Sequence, residues 1–477
     1  MTVAQLNKWG VLSVITLVSF MSNVDATIVV IGLPALMEDL GITFETGIWT
    51  ITAYFISSTI FLLPAGRWSD MLGTKRIFLW GLAVFTAATM LCGLASSGAT
   101  MIAARFVQGA GAAMTMATGT PILMRTFPPN QFGLALGVNS TSWVVGSLIG
   151  PVLGGALIGE FGWRSIFFVV VPFGIVGLIA GFLILKDTNF AGERTKTDWP
   201  GIATFGSGLL AFLVALSEGQ AWGWVSGPTL ALFAAALILG FTFLRIERRV
   251  RHPLFHLGLF SNRRYTFGLG LTISYCVGYF SIITLMTLYL QGAQGLSPME
   301  ASLLLIPLSA PQLITAPIGG KLADRYGPVR MILLGSFALG IAFLMLGQLG
   351  PQLSHWAVIA PLLIVSTATG LSWPSLAKAV LSVVPREQAG AGSGMFWTVF
   401  NMSRALSQTL VLAIVQLSSS ATVASQLFSV TETAPDAKAQ SAMVHATDIG
   451  FRFFAAFFLI AIVIGFILQL SAGKTKR

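Results

Sequence analysis

Stretch after stretch of this chain stays apolar for about twenty residues, the length an α-helix needs to cross the ~30 Å hydrocarbon core of a bilayer. Some fourteen such runs are read near 10–34, 47–66, 77–96, 99–123, 132–157, 164–186, 200–218, 227–245, 265–291, 298–320, 331–350, 355–377, 390–418 and 450–471. Lipid offers backbone N–H and C=O groups no outside partner, so spans of this length are expected as helices. The remaining composition agrees. Only 9% of residues are charged, against a usual ~25%, and mean hydropathy is +0.83; such a chain cannot coat a soluble core. Its 51 glycines suit helices that approach closely in lipid. The first run, from Trp9 to Pro34, is too long for a signal-peptide core and is read as the first span. Cys92 and Cys276 fall inside apolar runs, and His252, His256, His355 and His445 show no ligand spacing, so neither a disulfide framework nor a metal is expected.

A net charge of +10 raises the question of a nucleic-acid partner. The placement of the charges answers it. Starting from a cytoplasmic N-terminus, 22 of the 27 Lys and Arg residues fall in loops of one side, with Arg164, Lys438 and Arg452 on the other. This is positive-inside asymmetry. A multi-pass protein of the cell (inner) membrane is expected, with both termini cytoplasmic and no nucleic acid bound.

One charged phrase is written twice. "GRWSDMLGTKR" opens at Gly66 and "GKLADRYGPVR" at Gly320, and Gly66, Asp70, Gly73 and Arg76 recur as Gly320, Asp324, Gly327 and Arg330. "PPNQFGLALG" from Pro128 and "PREQAGAGSG" from Pro385 echo each other at nearly the same offset. Duplication is the reading, and parallel repeats about an axis along the membrane normal are a transporter architecture. It implies two six-helix halves, 1–190 and 265–477, separated by an inserted helix pair with linkers, 191–264, peripheral to the transport path. In the phrase itself, Gly66 and Gly73 are expected to allow a tight loop between two helices. Asp70 should cap the next helix, and Arg67, Lys75 and Arg76 should anchor the loop to anionic lipid.

These residues resemble the major facilitator superfamily, whose loop signature after the second span is G-x-x-x-D-x-x-G-x-x-R. "RFVQGAGAA" from Arg105 resembles its fourth-span signature. "GSLIGPVLGGAL" from Gly146 resembles the fifth-span signature typical of exporters, and "DATIVVIGLP" from Asp25 that of the first span in the fourteen-span drug:proton antiporter branch (EmrB/QacA type). Gly32 replaces an Ala of that last pattern. The resemblance implies an all-α polytopic membrane protein with the major facilitator fold, two pseudo-symmetric six-helix halves and two inserted helices. It implies a transporter, not an enzyme, driven by the proton gradient with no cofactor.

Ionisable groups inside the hydrocarbon are costly and default to function. Asp25, Arg105 and Arg404 are read as clearly internal. Burial disfavours a charged carboxylate and a neighbouring guanidinium favours it; a carboxyl balanced between the two can exchange a proton, and Asp25 is the expected coupling acid. Arg105 lies near the outer end of its span, where it could snorkel, but the resemblance implies that it faces the cavity and tunes the acid. Gln108 extends the same face. Gly146, Gly150, Pro151, Gly154 and Gly155 are read as a kinked, closely packing helix that seals against the other half at the outer side. With the loop residues Gly66, Arg67, Asp70, Gly73, Arg76 and Asp324 they make up the expected conformational gate.

Ser393, Trp397, Asn401, Arg404 and Gln408 recur at helical spacing as one polar stripe facing the cavity or the other half. Tyr275, Tyr279 and Met286 share a face suited to lipophilic ligands. The expected substrate cavity is Gln108, Tyr275, Tyr279, Met286, Trp397, Asn401 and Arg404. One internal acid against two bases, with Glu300 the only further acid that could reach inward in the second half, argues against dications. The expected activity is proton-coupled efflux of amphipathic small molecules, multidrug-type, by a monomer in membrane lipid, with an adaptor protein as a partner where export crosses a second membrane. The alternatives are a dedicated exporter of one lipid or metabolite, a symport uptake permease, and a non-transporting receptor.

Overall fold

The computed structural model describes residues 3–186, 197–250, 253–418 and 437–474. Arg194 and Lys196 of the expected linker, Arg251 and His252, and stretch 419–436 of the expected polar outer segment lie outside them. Among the described residues the regular structure is helical throughout. Among the described residues thirteen helical segments are long and apolar enough to cross a membrane. A further 29-residue helix, α4 (Gly98–Thr126), has the length but is diluted by Arg105, Gln108 and several threonines. Together these helices occupy every stretch read from the sequence as a span.

In the first compact unit, residues 1–262 with 381–398, α4 sits among α1 (Val3–Leu40), α2 (Phe44–Leu72) and α3 (Thr74–Gly93). α5 (Phe132–Phe161) packs along α1. The expected sixth span is broken into α6 (Ser165–Phe168) and α7 (Val170–Ile184). α8 (Trp199–Trp222) and α9 (Gly227–Glu247) pack on each other, and α8 also touches α2. The core around α1 is Val24, Ile28, Val29, Leu36, Met101 and Phe167 with Cys92 among them.

The second unit, residues 263–380 with 399–477, begins with α10 (Arg263–Thr287), which ends in a wider turn over Leu288–Ala293. The expected tenth span is interrupted, as α11 (Pro298–Leu305) and α12 (Gln312–Tyr326). α13 (Pro328–Leu346), α14 (His355–Leu381) and α16 (Ala437–Lys474) complete it with most of α15 (Ala389–Ser418). Its interior is aromatic: Phe343 meets Phe458 at 4.9 Å and Phe451 at 5.6 Å between ring centroids.

Candidate functional site

The fourth-span signature reads as a packing instruction. Ser97 and Thr100 form a capping box that starts α4. Three turns on, Gly109 lets α4 touch α2, since a Cβ there would strike the Tyr54 carbonyl oxygen. Gly111 does the same against α3, where a Cβ would lie 2.5 Å from the Phe85 amide nitrogen. Wedged between these neighbours, α4 brings Arg105 and Gln108 to Asp25.

Asp25 is fully buried, and both its oxygens are occupied. Arg105 Nη1 donates to Oδ2 at 2.8 Å, and Gln108 Nε2 donates to Oδ1 at 2.8 Å. Arg105 Nη1 also donates to the Gln108 amide oxygen, Arg105 Nε to the Thr50 carbonyl at 3.2 Å, and Gln108 Nε2 to Thr89 Oγ1 at 2.7 Å. The guanidinium lies over the Tyr54 ring at 4.4 Å. Arg105 Nη2 has no hydrogen-bond acceptor, so the network keeps one unused donor. Arg105 is itself fully buried and does not snorkel: α4 begins only at Gly98, but the acid holds the side chain inward. Tyr54, Thr50 and Thr89 carry no mark of such a contact in the sequence, and Cys92 reads there only as a cysteine inside an apolar run.

The duplicated phrase folds differently from the expected loop. Gly73 alone makes the turn, at φ +102°, between α2 and α3. Gly66 lies inside α2, where a Cβ would fall on the Gly390 carbonyl oxygen. Asp70, in the last turn of α2, does cap a helix, but α15 rather than α3: Oδ1 accepts the Gly390 amide and Oδ2 the Ala391 amide, both at 2.8 Å. The reason is geometric. The Gly66–Gly390 approach, repeated where Gly394 meets the Leu62 carbonyl, sets the open N-terminus of α15 beside α2, and a carboxylate is favoured there. Arg125 braces this clasp from α4, with Nη2 3.7 Å from Asp70 Oδ1 and 2.9 Å from the Arg386 carbonyl. Arg67 is half-buried and Arg76 exposed. In the second copy Gly327 turns at φ +91°, and Asp324 pairs with the buried Lys378.

The fifth-span glycines make close contacts within their own unit. Gly146, Gly150 and Gly154 pack against α1 of their own unit, at Asn23, Thr27 and Ile28 respectively. Residues four apart line one helix face, and that face is turned to α1 on both sides of Asp25. Gly155 points away, with nothing within 4 Å of an added Cβ, and Pro151 is half-buried. Gly150→Val should therefore lower the thermal midpoint, at a cost of about 1–3 kcal/mol for overpacking, while Gly155→Ala leaves it unchanged. A melting curve on the purified protein checks both.

A family model described as Major Facilitator Superfamily matches residues 15–408. The chain belongs to this superfamily. It is similar to the riboflavin transporter RibZ of Clostridioides difficile (strain 630), 30% identical over 401 residues, which are 84% of this chain and 86% of RibZ. It is also similar to the tetracenomycin C resistance and export protein of Streptomyces glaucescens, 28% identical over 415 residues covering 86% of this chain and 76% of that protein. The solved human organic anion transporter MFSD10 (TETRAN) shares the fold, with TM-score 0.67 and 16% identity over 96% of this chain and 99% of that chain. The fold is thus the all-α fold of major facilitator transporters, and resistance proteins are among the relatives.

In this major facilitator protein the remaining expected residues divide between the units. Trp397 stacks on Trp143 at 5.7 Å in the first. In the second, Tyr275 and Met286 are fully buried, and Tyr275 shares a 2.5 Å hydrogen bond with Ser372. Tyr279 lies at the edge of a ring cluster that sequence spacing could not assemble: Trp373 is 5.3 Å from Tyr279 and 5.2 Å from Phe400, and Phe280 is 5.3 Å from Phe400. Arg404, read as internal, is exposed within this unit, with its guanidinium 5.5 Å from the Phe280 ring. Asn401 is half-buried, and Gln408 Nε2 donates to the Phe280 carbonyl at 2.9 Å. Glu300 does not reach inward; it closes a capping box with Ser297. The acid of α16 is instead Asp448, half-buried one turn before Arg452.

Proposed function

We propose that the chain is a proton-coupled antiporter of the fourteen-span drug:proton branch, exporting amphipathic small molecules by alternating access. The observation that carries this reading is Asp25, fully buried within a membrane-spanning helix and held between Arg105 and Gln108. An ionised carboxylate only accepts hydrogen bonds, whereas a protonated one must donate. A proton on Oδ2 faces the Arg105 donor, and a proton on Oδ1 faces the Gln108 donor. Protonation removes the charge that strengthens both contacts and turns one oxygen into a hydroxyl facing an N–H donor, which loosens α1 from α4 locally. Gly146, Gly150 and Gly154 transmit the change along α1 to α5, while the Asp70 clasp on α15 is the cytoplasmic gate that opens in the alternate state.

Substrate binds on the face of Tyr279, Phe280, Trp373 and Phe400, where ring stacking suits flat apolar groups and Arg404 repels cations. Neutral, anionic and singly charged lipophiles are preferred over dications. The similarity to a tetracenomycin C resistance and export protein supports export. The protein works as a monomer in the inner membrane with cytoplasmic termini, needs the proton gradient and no cofactor, and uses an adaptor where a second membrane is crossed. Proteoliposomes carrying an imposed pH gradient test the reading across substrate charge classes. Gradient-driven accumulation of neutral or anionic dyes is expected, lost on adding a protonophore. Uptake indifferent to the gradient, or a strong preference for dications, contradicts it.

A further inference from the structure

The α8–α9 pair ends in two buried acids that no role above uses. Asp198 stands just ahead of α8, where its Oδ1 accepts the Gly201 amide at 2.9 Å. Glu247 is the last residue of α9, and it accepts the Leu254 amide at 3.1 Å on Oε1 and the Phe255 amide at 3.3 Å on Oε2. Asp198 is 6% exposed and Glu247 5%. The two carboxylates converge on Gly201: a Cβ added there would run into Asp198 Oδ2 while standing 3.1 Å from Glu247 Oε1. Asp198 Oδ2 is buried and has no hydrogen-bond partner among the described residues.

The charged group facing the pair is Arg67 of α2, which in turn faces Asp70 three residues on. Among the described residues Arg67 forms no ion pair within 4 Å with either acid. Two neighbouring carboxylates shielded from water, with no cation in contact among the described residues, cannot both stay ionised without mutual repulsion. Glu247 also sits at the carbonyl end of α9, which disfavours negative charge, whereas Asp198 sits at the amide end of α8, which favours it. A proton on Glu247 answers both.

We propose that Glu247, crowded by the Asp198 carboxylate, holds a proton and forms a second proton-binding site at the base of the α8–α9 pair, separate from Asp25. Arg67 competes for this site. When α2 brings the guanidinium into contact, the proton leaves to water; when α2 withdraws, a proton returns. Arg67 and the gate residue Asp70 ride on the same turn of α2, so occupancy of the site follows the gate. The helix pair that the duplication leaves unexplained thereby acquires a role.

Infrared titration of the full-length protein in lipid nanodiscs reads the site directly, without transport. A protonated-carboxyl band should fade as pH rises in the wild type and persist in Asp25→Asn. It should be absent in Glu247→Gln and shifted to lower pH in Asp198→Asn, where the like charge is gone. Arg67→Gln should carry the band to higher pH, because a competing cation has been removed. Absence of any titrating band in the wild type, or a band unmoved by the Glu247, Asp198 and Arg67 variants, overturns the proposal. If Glu247→Gln does not yield folded protein, the opposite shifts in Asp198→Asn and Arg67→Gln decide it.

Discussion

Asp25→Asn is expected to reduce gradient-driven transport to background while leaving a folded, monodisperse protein. Asparagine keeps the size of the side chain and an acceptor for Arg105 Nη1, so most of the network around Thr50, Tyr54 and Thr89 survives. What it loses is the ability to gain and lose a proton. Asp25→Ala differs in a measurable way. It strands a fully buried guanidinium, and removing one partner of a buried pair costs about 3–5 kcal/mol. The alanine variant should therefore be poorly folded as well as inactive. Transport assays paired with size-exclusion chromatography separate the two effects. An asparagine variant that still concentrates substrate against a proton gradient removes Asp25 from the coupling step.

The second large effect belongs to the clasp. At Gly66 the facing group is backbone, the Gly390 carbonyl, which no side-chain rotation can relieve. Gly66→Val must push the start of α15 away from α2, and with it the two amides that Asp70 holds. Overpacking of this kind costs about 1–3 kcal/mol, and the loss falls on the clasped state alone. The expected result is a protein that folds, transports poorly and reacts faster with a thiol reagent at a cysteine introduced at Ser69, which is buried in the clasp. Asp70→Asn should act in the same direction with less steric disturbance. It keeps an acceptor for one amide but sets an NH2 group against the other. Equal labelling rates in the parent and both variants exclude the clasp as a gate.

Much of this was legible from residue order. The apolar runs located every span, because lipid imposes a length and a composition that few alternatives satisfy. Asp25 and Arg105 stood out because charge inside such a run is rare. What stayed hidden was partnership. Asp70 was readable as a capping carboxylate, but nothing in "GRWSDMLGTKR" says that the capped helix starts more than three hundred residues later. The fifth-span glycines announced close packing without naming α1 as the neighbour. Trp373, Phe280 and Phe400 belong to three helices and meet only through the fold. Asp198 and Glu247 carry no mark in the sequence beyond their place beside the inserted pair, and only the fold buries them and brings them together at Gly201.

The most direct measurement is proton release when substrate is added to the purified transporter in weakly buffered solution. The account predicts that protons appear in proportion to bound substrate in the wild type, and that Asp25→Asn binds the same substrate and releases none from this site. Substrate binding with no proton release in the wild type, or release that persists unchanged in Asp25→Asn, contradicts it.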